Sequence, residues 1–143
     1  MKFGIGQSVS RTEDPRLLRG EGKYVDDITS QGQLFGMVFR SPYAHARMSN
    51  LDVSEARNVA GVVAVYTATD PAMAALKDLA TQMPVKNADG SKGAYPGLPH
   101  LASDVVRFVG QPIAFVVAED LRAAKNACDL IMADFQDLSL IHI

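Results

Sequence analysis

With 143 residues the chain has the length of one domain with a sizeable core, and 48% hydrophobic against 21% charged residues is the composition of a globular protein. A formal net charge of −2 argues against nucleic acid or an anionic membrane surface as a partner. A single cysteine excludes an internal disulfide framework and fits a reducing cytoplasm; no apolar run nears the roughly 20 residues of a transmembrane helix, and the first residues lack a signal peptide's apolar stretch.

Residues 1–33 read as an arm. Gly4, Gly6, Gly20, Gly22 and Gly32 punctuate a polar segment with little periodicity. One helical turn is expected at 15–19, with Asp14 as its cap, Pro15 in its first position and Gly20 ending it. Tyr24 and Val25 add a short extended piece. So long a stretch without regular structure is unusual inside a compact domain, and it is expected to pack on something outside this chain.

A domain follows over 34–138. Leu34-Phe35-Gly36-Met37-Val38-Phe39-Arg40 is the first strand, and Pro42 turns the chain after it. A weaker strand is expected at 46–51, with Ala46, Met48 and Asn50 on one side. Ser54 can cap a short helix over 55–60 that Gly61 closes, and 62–66, rich in β-branched residues, reads as a buried strand. Thr69 or Asp70 before Pro71 opens another helix, with Ala72, Leu76 and Leu79 on its apolar face and Pro84 at its end. The span 84–103 is a long loop of the kind that carries function or a partner contact.

Residues 105–135 hold the strongest pattern. A short strand is expected at 105–109, with Val106 and Phe108 on one face, and Gly110-Gln111-Pro112 breaks it. Ile113 to Ala118 is an unalternating apolar run, the mark of a strand covered on both faces. Asp120 caps the following helix, in which Leu121, Ala124, Cys128 and Ile131 form the apolar face and Arg122, Lys125, Asn126 and Asp129 the wet one. A return strand at 132–135 completes a strand–helix–strand unit of βαβ type, the second after 46–66, and crossovers within such units are right-handed. The fold class is α/β (α+β), with a mixed sheet.

Few residues suggest chemistry. Cys128 can be a nucleophile or a small buried hydrophobe, and the apolar helix face with no second cysteine favours the latter. His45, His100 and His142 are the only imidazoles, none at metal-ligand spacing. The octad 40–47 gathers Arg40, Tyr43, His45 and Arg47 around Pro42; it can grip an anion or form a hydrogen-bonded strand corner, and the corner is favoured for want of a second anchor. Gly4-Ile5-Gly6 lacks the strand and third glycine of a dinucleotide loop. Glu13-Asp14 and Asp26-Asp27 are adjacent carboxylates, better suited to a solvated or arginine-paired surface than to acid–base work. No nucleophile–base pair for a hydrolase emerges. On the residues alone, no catalytic, cofactor-binding or metal-binding residue is assigned.

Four blocks in order nevertheless resemble one family. They are Arg11-x-Glu13-Asp14-Pro15-Arg16-Leu17-Leu18-x-Gly20-x-Gly22-x-Tyr24-x-Asp26-Asp27-Ile28; the octad 40–47; Gly61-Val62-Val63-Ala64-Val65-Tyr66-Thr67 followed by Asp70; and Leu101-Ala102-x-Asp104-x-Val106-Arg107-Phe108-Val109-Gly110-Gln111-Pro112-Ile113-Ala114. Together they are similar to the start of the molybdopterin-binding large subunit of molybdenum hydroxylases, the family of xanthine dehydrogenases, aldehyde oxidases and aerobic carbon monoxide dehydrogenases. The resemblance implies an α/β hammerhead domain behind an N-terminal arm, in an oxidoreductase subunit whose molybdenum is held on a pterin by domains further along. It also implies iron–sulfur and FAD partner subunits in an oligomeric complex. This portion would then be scaffold and interface, inert alone. Gln111 stands where the family often has Glu, a difference expected to touch only a surface contact. Ser139-Leu140-Ile141-His142-Ile143 departs from the family's continuation and is expected to be a truncated or non-native tail. The alternative is a free-standing α/β module that binds a protein or small ligand.

Overall fold

The computed structural model describes residues 4–6, 8–80, 85–93 and 97–142, in two compact units, Met1–Gln33 and Leu34–Ile143. The first unit contains α1 (Asp14–Leu18) and one 3-10 turn (Val25–Asp27), and neither has a buried residue. The helix begins one residue earlier than expected. Asp14 is therefore inside it, Glu13 takes the cap position, and no side chain caps the end. The extended piece stops at Tyr24, whose N–H donates to Asp27 Oδ2 (2.9 Å) and closes the 3-10 turn.

Among the described residues the second unit carries six strands and three helices: β1 (Phe35–Arg40), β2 (Ala46–Asp52), α2 (Ser54–Arg57), β3 (Val62–Thr67), α3 (Pro71–Ala74), β4 (Val105–Val106), β5 (Pro112–Ala118), α4 (Leu121–Asp129) and β6 (Met132–Asp137). They form two three-stranded sheets in the orders β1-β5-β3 and β4-β2-β6. Every pairing is antiparallel. The expected α-and-β class holds, but the βαβ units and the mixed sheet do not. Both edges of β5 are occupied, by β1 and β3, so the chain leaving α4 cannot return beside it. It pairs instead with β2 in the other sheet. The earlier unit likewise runs from β2 through α2 to β3, from one sheet to the other.

Single-residue bulges assign side chains to two cores. On β5 the register skips Ile113, between the Phe39–Ala114 and Arg40–Pro112 pairs. The extra residue lets neighbours Ile113 and Ala114 both be buried, one in each core. Ala114, Val116 and Ala118 face α4, where Ala123, Ala124 and Ala127 present only methyl groups and allow close approach. Ile113 joins Ala46, Met48, Ala102 and Val106 in the second core. Ser49 is the extra residue on β2, so Met48 opposes Phe135 and Leu51 opposes Ala133 on one face; Asn50, expected there, is exposed instead.

Several elements are shorter or wetter than the pattern predicts. β4 spans two residues, because the Arg107 N–H turns away to Gln111 Oε1 (2.7 Å), and Phe108 is left largely exposed. β3 is an edge strand rather than a buried one, with Val63 on a bulge in solvent. α3 ends after one turn; Leu76 and Leu79 are exposed, and Leu79 pairs instead with Leu98. Pro84 lies outside the described residues. Ser54 does not cap α2, since it is the first helical residue, and its hydroxyl and N–H both donate to Asp52 Oδ1 (2.5 and 2.9 Å). Asp120 caps α4 as expected, accepting the Ala123 N–H (2.8 Å), but Leu121 faces water and Cys128 is only half-buried. β5 is fully buried on one face and half-buried on the other, where the Phe115 ring lies over Gly36.

Candidate functional site

The basic octad is the corner between β1 and β2. The Ser41 N–H donates to the Gln111 carbonyl (2.9 Å), and the Ser41 carbonyl accepts the Gly110 N–H (2.8 Å). Gly110 can turn the chain here because it adopts a φ of 86°. The Ser41 hydroxyl donates to the Tyr43 carbonyl and accepts the Tyr43 N–H, both at 3.0 Å. The Arg40 guanidinium donates to the Gly110 carbonyl (2.9 Å), and the Tyr43 ring rests against Phe135 with centroids 4.8 Å apart. His45 Nδ1 lies 2.9 Å from the Ser139 carbonyl. These contacts tie Arg40, Tyr43 and His45 to backbone carbonyls and a ring and make a braced corner, while Arg47 stays exposed on β2.

Gln111 is the centre of that brace and is 1% exposed, which corrects its expected place on the surface. Its Oε1 accepts the Arg107 N–H, while its buried Nε2 has no hydrogen-bond partner among the described residues. A charged Glu at this position would be a buried anion, so any exchange at 111 acts inside the domain.

Of the other two histidines, His142 shares Ser139 with His45 and His100 stands apart. His100 Nε2 is 3.1 Å from the Lys77 carbonyl, and His142 Nδ1 is 3.3 Å from the Ser139 hydroxyl. Cys128 has its thiol pushed up by burial and, secondarily, by the Asp129 carboxylate, the reverse of an activated nucleophile. Glu13 pairs loosely with Arg16 (3.9 Å), and Gly4 and Gly6 are exposed. Among the described residues no three His, Cys, Asp or Glu side chains gather as a metal site.

Sequence reasoning missed one cluster. Asp70 Oδ2 accepts both the N–H and the hydroxyl of Thr67 (2.5 and 2.7 Å), and Asp70 Oδ1 lies 3.5 Å from Arg57. The Thr67-Ala68-Thr69-Asp70 spacing was the available signal, a local turn in which a carboxylate reaches back three residues. The Thr67 hydroxyl and N–H hold the Asp70 carboxyl below its ordinary value, with Arg57 a lesser cause. Ser54 and Ser91 do the same for Asp52 and Asp89. Carboxylates held ionised in this way clamp turns and are poorly matched to proton transfer near neutrality. Beside Asp70 a cleft of about 390 Å³ is lined by Leu51, Arg57, Thr69 and Ser103, and an open groove of about 790 Å³ lies between Phe39, Tyr43, Met132 and Phe135.

Comparison with known proteins gives a consistent result. The model of the "Aldehyde oxidase and xanthine dehydrogenase, a/b hammerhead domain" family matches residues 19–139. The large subunit of nicotine 6-hydroxylase from Paenarthrobacter nicotinovorans is 41% identical over 96% of this chain and 16% of its own length. Among solved structures, quinoline 2-oxidoreductase from Pseudomonas putida 86 aligns with a TM-score of 0.74 and 35% identity, over 97% of this chain and 17% of that one. The Cu,Mo-CO dehydrogenase aligns with a TM-score of 0.68 and 37% identity, over 94% and 16%. The chain thus spans only a small part of each of these relatives.

Proposed function

Because the chain belongs to the aldehyde oxidase and xanthine dehydrogenase a/b hammerhead family, we propose that it is the scaffold and interface portion of a molybdenum hydroxylase large subunit. In this reading the whole subunit oxidises a small substrate, such as an aldehyde, a purine-like or other N-heterocycle, or carbon monoxide. Iron–sulfur and FAD partners carry the electrons away in the cytoplasm, where one cysteine and no disulfide are at home. The observation that supports the assignment is the match over 96% of this chain to 16% of the nicotine 6-hydroxylase large subunit.

The described residues do not fit a molybdenum–pterin group. Such a cofactor presents phosphate and ring hydrogen-bonding groups and needs several converging N–H donors. The one long helix has its first turn occupied by Asp120, which accepts the Ala123 N–H, and the basic corner spends Arg40 on the Gly110 carbonyl. The cofactor would therefore be held by other domains of the subunit, with this portion bracing them. Domain boundaries at 1–33 for the arm and 34–138 for the hammerhead go with that role. The arm's Val9, Leu18, Tyr24, Val25 and Ile28 are exposed, which suits a strap laid across neighbouring domains.

The test is to express residues 1–143 in a host that makes the cofactor, then measure bound molybdenum and dye-linked oxidation of aldehydes, purines, nicotine and carbon monoxide. The expected outcome is neither metal near stoichiometry nor turnover. Stoichiometric metal or activity in this chain alone would sink the scaffold reading.

A further inference from the structure

We draw no further inference here: the strongest candidate, the open apolar groove between the end of β1 and strand β6 lined by Phe39, Tyr43, Met132 and Phe135, carries nothing because nothing in the structure shows what covers it.

Discussion

Asp70 shows how one side chain ties a strand end to a helix start. Its carboxylate takes two donors from Thr67 at the end of β3 and leads directly into Pro71, the first residue of α3. Hydrogen bonds to an ionised acceptor are the stronger kind, so Asp70→Asn is expected to lower stability at pH 7 by about 1.5–3 kcal/mol. The sign with pH follows from the lowered folded pKa: the stabilisation is present above the unfolded value near about 3.9 and is lost as pH falls through the folded value. Urea melts at pH 7 and pH 3 check this; a gap between wild type and variant that persists undiminished at pH 3 would refute it. Cys128 offers a second residue-scale test. Its raised pKa and half-burial predict slower maleimide labelling at pH 8 in the native protein than in urea. Equal rates would return the thiol to the list of reactive groups. The apolar helix face was only half legible in the sequence, since Ala124 and Ile131 are buried while Leu121 faces water and Cys128 is half-buried; the place of Gln111 was not legible, because polarity alone put a fully buried amide on the surface.

At the scale of elements, β5 is the member on which both neighbours depend, with Val116 paired to Met37 on one side and Val65 on the other. Val116→Asp would place an unpaired carboxylate at a fully buried position, at a cost of several kcal/mol against a whole-domain stability of about 5–15 kcal/mol. Val63→Lys, on the exposed bulge of the edge strand, is expected to stay within about 0.5 kcal/mol of wild type. Denaturation midpoints of the two variants should therefore separate widely, with Val116→Asp the less stable; coincident melts would refute the central and edge assignments, and the reverse order would mean they are exchanged. The unbroken apolar run 113–118 and the Asp120 cap made the positions of β5 and α4 readable in advance. Where the sequence misled was in how the two connect. A helix between two strands looks the same whether it returns to its own sheet or crosses to another; only the filled edges of β5 decide.

For the whole molecule, the contrast is between a unit with two cores and a first unit whose helix and 3-10 turn have no fully buried residue. Ordering a residue costs roughly 1–2 kcal/mol, and residues without burial have little to offset it. Limited trypsin digestion of the isolated chain is expected to cut at Arg16, Arg19 or Lys23 before any site in 105–135, read by mass spectrometry. Simultaneous cleavage would overturn that order. The sequence alone determined the broad class, the strands at 34–40 and 113–118, the capped alanine-rich helix and, through its four ordered blocks, the family. These follow from local chemistry: apolar runs, caps and turn residues act within a few positions of themselves. The tertiary structure alone decided the two antiparallel sheets, the internal place of Gln111 and the partition of the cores. A bulge at Ser49 or Ile113 adds a single residue and leaves no mark in composition, yet it reverses which face the following side chains occupy.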